Sequence, residues 1–165
     1  MNRFAVRGLQ FAVVLAMLGC MKSAPPAANR EPQTANSGPR VVFPDNAVIQ
    51  IELATDDATR EQGLMYRDQL ASDQGMLFFF ATSGNYPFWM KKTLIPLDMI
   101  WLDENRRIVA IKHNVPPCKA DPCPSYDPNA IGKYVLEVAS GVAARHALAN
   151  GQTLRFEAVD NVIVR

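Results

Sequence analysis

The apolar positions of the chain recur mainly with the two-residue period of β-strands. Val48–Ala54 alternates between apolar and polar residues and is rich in β-branched side chains, which predicts a strand with one buried face. Residues 75–80 are continuously apolar, which suits a strand buried on both faces. Further strands are predicted over residues 87–90, 97–102, 107–112, 134–138, 153–157 and 161–164.

Two short helices are predicted between the strands. Asp56 and its neighbours can cap a helix that runs to Gln62 and stops at Gly63. A second helix is predicted over residues 140–149. Seven or eight short strands with about two helices predict a mainly β fold, a single compact β-sandwich or jelly-roll-like barrel.

The N-terminus has the features of a lipoprotein signal peptide over residues 1–19. Arg3 and Arg7 precede a short apolar stretch that ends at Gly19 and Cys20. This stretch is well short of the roughly 20 residues that span a bilayer. Cleavage before Cys20 would leave its thiol to carry a diacylglycerol. The alternative is ordinary secretion, with Cys20 an incidental residue.

Residues 20–39 are predicted to be a lipid-anchored tether that precedes a domain over residues 40–165. The segment is rich in proline and alanine and has no large apolar residue beyond Met21, so it cannot build a core. Met21 stands where an aspartate would indicate retention in the inner membrane. We therefore expect a periplasm-facing protein of the bacterial cell envelope, held to the outer membrane through the lipid on Cys20.

The charge and composition exclude several classes of protein. The 165 residues include 17 Lys and Arg against 16 Asp and Glu, a formal net charge of +1, and the basic residues are scattered. Nucleic-acid binding is therefore not expected. No Gly-x-Ser-x-Gly, His-Glu-x-x-His, P-loop or Gly-x-Gly-x-x-Gly motif occurs.

A series of ordered motifs resembles the DUF192 (UPF0127) family, which has no established function. The motifs are REQGLMYR at 60–67, GMLFFF at 75–80, FWMKKTLIPLD at 88–98, NVPPC at 114–118, PCPSY at 122–126 and YVLEVASG at 134–141. The resemblance covers residues 48–156 and implies a compact β-sandwich of jelly-roll type. Lys92 departs from the family, which usually has Asn at this position.

Cys118 and Cys123 lie close together among prolines. In an oxidising envelope such a pair predicts a structural disulfide that fixes the shape of the loop 114–128. A redox pair is an alternative, although the spacing is not Cys-x-x-Cys. A zinc site would need His113 and a fourth ligand. We expect no metal and no cofactor.

Residues 88–93 supply candidate binding side chains. On a strand, Phe88 and Met90 share one face, while Trp89 and Lys91 share the other. If Phe88 faces the core, the Trp89 indole lies over a more exposed surface and can stack on a sugar ring or a cation. Alternatively, Trp89 only covers the sheet edge and Lys91 extends past it.

Asp98 interrupts the apolar run 94–102, where a carboxylate is costly to bury without a partner. Arg67, Lys91 and His113 are its candidate partners in a structural pair. The functional alternative is a polar anchor at the base of a pocket. His113 ends a strand, where it could act as an acid, a base or a ligand, or serve as a hydrogen-bonded structural residue.

The leading hypothesis is a non-catalytic envelope module that binds a small molecule, a glycan or a partner protein. The candidate ligand-binding residues, placed beside the loop 114–128, are Arg67, Trp89, Lys91, Thr93, Asp98, His113 and Tyr126. A hydrolase with Asp98 and His113 as an acid–base pair is the alternative. A third possibility is a structural lipoprotein whose exposed sheet edge docks by strand addition.

Overall fold

The computed structural model describes residues 38–165, which contain nine strands and two short helices. The strands are β1 (Arg40–Val42), β2 (Val48–Ala54), β3 (Gln74–Gly84), β4 (Phe88–Trp89), β5 (Leu97–Leu102), β6 (Ile108–Val115), β7 (Ser125–Tyr126), β8 (Gly132–Ala139) and β9 (Arg155–Glu157), and the helices are α1 (Asp57–Gln62) and α2 (Val142–Arg145). The predicted signal peptide, Cys20 and all but the last two residues of the predicted tether lie outside the described residues.

Seven strands form one sheet in the order β6-β5-β8-β3-β2-β1-β9, and β4 pairs with β7 separately. Neighbours in the sheet are antiparallel except β2 and β3, which are parallel. The two edges approach each other where Ile108 N donates to Gln152 O at 2.8 Å, so the sheet curls into a half-barrel. Strands make up 41% of the described residues and helices 8%, which confirms the mainly β class.

Apolar side chains pack on both faces of this sheet. On β3, Leu77 and Phe79 belong to one cluster, which we name the first core, and Met76 and Phe78 belong to the second core on the other face. The prediction that residues 75–80 are buried on both faces is therefore confirmed. The first core also contains residues of α2, and the second core contains Leu64, Met99 and Trp101.

Two predicted elements differ from the observed ones. Residues 161–164 form no strand. Instead, Val162 and Val164 pack against the first core, and Arg165 N donates to Thr55 O at 2.8 Å. The predicted second helix is reduced to the four residues of α2, because Ala147 has a positive φ of 48° that ends the turn. In residues 38–165 no helix has the length and apolarity of a membrane-crossing segment.

The start and end of α1 follow the sequence prediction. Asp56 is the N-cap, its carboxylate accepts from Thr59 N at 2.8 Å, and Gly63 is the C-cap with φ 47°. A Cβ atom at Gly63 would lie 3.3 Å from the Phe78 ring. Glycine thus satisfies both the left-handed backbone and the close passage of the chain over Phe78.

Lys92 also has a left-handed backbone, with φ 56°. Its carbonyl accepts from Tyr66 N at 2.8 Å, and its ammonium lies 5.5 Å from the centre of the Tyr66 ring. Asparagine is one of the few non-glycine residues that tolerate this conformation well. The asparagine that the resemblance implies at this position therefore has a backbone explanation that requires no role for its amide.

Candidate functional site

An open cavity of about 280 Å³ lies against the second-core face of the sheet, between the α1 segment and β4. Five aromatic residues line it: Phe78, Phe80, Tyr86, Phe88 and Trp89. Charged or hydroxyl side chains reach it from α1, from the segment after β4 and from β8: Arg60, Glu61, Lys91, Thr93 and Glu137. A mainly apolar concave site with a few polar groups is the usual form of a small-molecule pocket.

Ring-to-ring contacts hold the aromatic wall in place. Phe80 stacks on Tyr86 with the ring centres 3.6 Å apart, and Phe78 meets Phe88 edge to face at 4.9 Å. The indole of Trp101 donates to Tyr86 O at 2.8 Å and so fixes the turn that carries Tyr86 and Phe88. The wall is thus built on packed side chains rather than on a free loop.

Glu137 contributes the carboxyl group at the base of this cavity. It is only 4% exposed, and the strand register places it between Met76 on β3 and Met99 on β5. Within residues 38–165 its carboxyl makes no hydrogen bond, whereas every fully enclosed side-chain oxygen has a partner. The Glu137 carboxyl must therefore open onto the cavity.

Burial raises the pKa of Glu137 to about 8, because the apolar surroundings disfavour its charged form. No cation among the described residues offsets this effect. A carboxyl with such a pKa is mainly protonated near neutral pH, and a charged or hydrogen-bonding ligand can change that state. Strongly perturbed carboxyl groups in clefts are candidate functional groups on physical grounds.

Two cations stand at the rim of the cavity, and they differ in how firmly they are held. The Arg60 guanidinium donates to Phe79 O at 2.8 Å and to Asp57 at 2.7 Å, and it also binds Arg165 O. The ammonium of Lys91 lies 5.3 Å from the centre of the Trp89 ring. It has no carboxylate partner among the described residues. Lys91 is therefore the more adaptable charge at the entrance.

A second depression of about 410 Å³ adjoins the cavity and is also lined by α1. Five residues line both spaces: Glu61, Gln62, Met65, Trp89 and Lys91. The Trp89 side chain is 47% exposed and borders the two. A ligand larger than the cavity could therefore continue over Trp89 into the depression.

Three of the seven candidate binding residues predicted from sequence line the cavity, namely Trp89, Lys91 and Thr93. The exposed position predicted for Trp89 is observed. Thr93 is buried next to the cavity wall.

Asp98 lies away from the cavity, so its predicted place among the ligand-binding residues is wrong. It is fully buried on the first-core face of β5, and its two oxygens accept from Asn114 N and Ala143 N, both at 2.8 Å. Backbone amides therefore take the place of the expected Arg67, Lys91 or His113 side chain. Asp98 joins β6 to the start of α2.

Arg67, His113 and Tyr126 also lie outside the cavity lining. Arg67 makes a two-point ion pair with Glu52, with N–O distances of 2.5 and 2.6 Å, and this pairing lowers the pKa of Glu52. Tyr126 belongs to β7, where it pairs with Phe88 and packs against the second core. Tyr126 therefore supports the cavity wall indirectly.

His113 is exposed at the end of β6, and no hydrogen bond joins it to Asp98 among the described residues. Both Asp98 oxygens are occupied by backbone donors. The structure therefore does not assemble the acid–base pair that the hydrolase alternative requires.

Cys118 and Cys123 are joined by a disulfide bond. Cys118 packs against the second core, so the bond lies in a loop that contacts the same core as the cavity wall. In residues 38–165 no three His, Cys, Asp or Glu side chains converge in a way that could hold a metal ion.

Glu137 is the main residue that sequence reasoning missed. The available signal was a glutamate inside the apolar run YVLEVA, in a strand otherwise composed of core residues. The aromatic lining residues were recognised as strand residues but not as the wall of a site.

Two solved structures are similar to this chain. A protein from Sinorhizobium meliloti 1021, provisionally described as a transcription regulator, is 36% identical with a TM-score of 0.63, over 72% of this chain and 91% of that chain. A protein of unknown function from Novosphingobium aromaticivorans DSM 12444 is 30% identical with a TM-score of 0.64, over 71% and 82%. No curated protein matches the chain.

The family profile of DUF192, described as "Uncharacterized ACR", matches residues 40–156. This range includes every residue that lines the cavity over Glu137. The resemblance of the sequence motifs is thereby confirmed, and the chain belongs to the DUF192 family.

Proposed function

We propose that this domain is a non-catalytic binding module and that its ligand is a small molecule held in the cavity over Glu137. Aromatic faces supply apolar contact area, and the Glu137 carboxyl at the base fixes the orientation of the ligand. The ligand could be free or could be the end of a larger molecule that continues over Trp89.

The observation that carries this proposal is the nearly buried Glu137 carboxyl, which has no partner among the described residues. Holding this carboxyl in apolar surroundings costs free energy, because its charged form loses most of its contact with water, and the raised pKa of about 8 reflects that cost. A binding site is a physical reason to keep it, because a ligand can supply the missing partner. A leucine at this position would pack against Met76 and Met99 without that cost.

Binding accounts for the cavity better than catalysis does. Among the described residues that line it there is no histidine, cysteine or serine to act beside Glu137. The carboxyl is also flanked by methionines in the strand register rather than by a second acid or a base. A binding role needs only the contacts that the cavity offers.

Trp89→Ala is expected to weaken ligand binding about tenfold, because it removes an aromatic face worth roughly 1–2 kcal/mol. Native mass spectrometry of the protein, purified from a bacterial envelope, would reveal the retained ligand and its loss in the variant. Ile131→Ala is the matched control, since Ile131 is an exposed apolar residue outside the cavity. Equal ligand retention in both variants, or none in the wild type, would argue against the proposal.

We further propose that the module faces the periplasm on a lipid carried by Cys20, in the outer membrane of a bacterial envelope. The support is the basic and apolar leader that ends at Gly19-Cys20 and the proline-rich segment after it. Cys20→Ala is expected to move the protein from the membrane fraction to the soluble fraction. Immunoblots of fractionated cells and the mass of the N-terminal peptide test this. A wild-type chain found soluble with an unmodified Cys20 would contradict it.

A further inference from the structure

We propose that the ligand of this cavity is a small organic cation whose ammonium group binds between the aromatic faces and pairs with the Glu137 carboxylate. This inference rests on the proposed binding function and names the chemical class of the ligand.

The first argument is the match between the cavity lining and a cation. Aromatic faces attract ammonium groups through the negative charge on the ring surface, most strongly when water is excluded. The aromatic rings around this cleft already hold the chain's own cations. Lys91 lies over Trp89 at 5.3 Å and Arg60 over Phe80 at 5.6 Å, and in the adjoining depression Lys92 lies over Tyr66 at 5.5 Å.

The second argument is that Glu137 has no counter-charge among the described residues. The side chains that flank it on β3 and β5, Met76 and Met99, are uncharged. The other charged groups of the lining are Arg60 and Glu61 on α1 and Lys91 after β4. Arg60 is held by Phe79 O, by the Asp57 carboxylate and by Arg165 O. A ligand cation can therefore supply the charge that these residues do not.

The rim lysine is compatible with cation entry. The Lys91 ammonium sits at the end of a flexible four-carbon stem and is held mainly by the Trp89 ring. It can move into solvent when a ligand ammonium takes over the Trp89 face. An anionic ligand would instead bring a second negative charge towards the Glu137 carboxyl in a poorly solvated space.

Cation binding must be accompanied by proton release. At neutral pH the Glu137 carboxyl is mainly protonated, so pairing with an ammonium breaks its O–H bond and the proton passes to the buffer. Because the pKa of Glu137 is about 8, the affinity for a cation should rise about tenfold between pH 6 and pH 7. A neutral ligand that accepts a hydrogen bond from the protonated carboxyl would bind almost equally at pH 6 and pH 7 and would lose affinity as the pH rises above 8.

The test is titration calorimetry of the full chain with two matched pairs of probes. Choline is compared with 3,3-dimethyl-1-butanol, which has the same shape without the charge, and butylammonium is compared with 1-butanol. At pH 6.5 each titration is repeated in buffers of different ionisation enthalpy, because the change in the observed binding enthalpy gives the number of protons released. We expect at least one cation to bind tenfold more tightly than its neutral partner, with release of about one proton.

Glu137→Gln removes the charge while keeping the shape, and it is expected to weaken cation binding at least tenfold at pH 8.5 and to abolish proton release. Glu52→Gln removes a carboxylate from the surface pair with Arg67, outside the cavity, and should leave binding unchanged. Circular dichroism checks that both variants are folded.

The outcomes separate this inference from the proposed function. If a ligand retained from the envelope is lost on Trp89→Ala but the neutral probes bind as tightly as the cations, the binding module stands and the cation inference is wrong. The cation inference is also wrong if affinity falls as pH rises or if Glu137→Gln binds normally. If no ligand is retained and no probe binds, both fail.

Discussion

Raising the pH from 5 to 8.5 is expected to lower the free energy of unfolding of the wild-type protein by about 4 kcal/mol relative to Glu137→Gln. The folded pKa of Glu137 is about 8, against 4.5 for the free side chain. Between these values the folded state binds the proton that the unfolded state has released. Its contribution to stability is complete below pH 4.5 and is lost as the pH rises through 8.

Urea unfolding of both proteins at pH 5, 6, 7 and 8.5 measures this difference. Other carboxyl groups have the opposite sign, since hydrogen bonds from His146 and Arg40 lower the pKa values of Asp45 and Glu157. Their contribution is lost at acid pH, and it cancels when the two proteins are compared. If the difference in free energy of unfolding between the wild type and Glu137→Gln does not change with pH, Glu137 is well solvated or paired. The basis of the candidate site would then be wrong.

The local pattern of the sequence predicted most of the sheet because burial alternates along each strand. The run at 75–80 is apolar at every position, and the structure covers both faces of β3 there. The errors occurred where tertiary contacts decide the backbone. Residues 161–164 have a strand-like pattern, yet β9 already pairs with β1 and the last residues pack on the edge of the first core.

The site was only partly predictable, and two carboxylates illustrate the reason. Asp98 and Glu137 each interrupt an apolar strand, and they are equally conspicuous in the sequence. Which face each occupies depends on the strand register and on what covers that face. On the first-core face, α2 brings its backbone amides to Asp98, whereas on the second-core face Glu137 meets a cavity. A single sequence contains neither fact.

The exposed aromatic was easier to predict than the buried acid. Trp89, Lys91 and Thr93 follow one another closely, and strand alternation placed Trp89 outside the core next to a charge on the condition that Phe88 faces the core. Glu137 is far from Lys91 along the chain, and only the order β5-β8-β3 brings it under the aromatic wall. Long-range pairing of this kind is what the local pattern does not specify.

Asp98→Ala is expected to reduce the free energy of unfolding by about 3 kcal/mol, because a buried backbone amide, Ala143 N, and a partly buried one, Asn114 N, lose their charged acceptor. The N-cap of α2 is Gly141, which has no side chain, so Asp98 provides the acceptor for Ala143 N from across the sheet. The second amide, Asn114 N, holds the end of β6. Hydrogen exchange of these two amides should accelerate more than that of β3.

Asp103→Ala is the matched control for this change. Asp103 also accepts from two backbone amides, Asn105 N at 2.8 Å and Arg107 N at 2.9 Å, but in an exposed turn where water can replace it. We expect a loss of less than about 1 kcal/mol there. Equal losses in the two variants would contradict the structural role of Asp98. Because Asp98 faces away from the cavity, the folded fraction of Asp98→Ala should bind ligand normally, whereas an Asp98 that contacts ligand would lose binding.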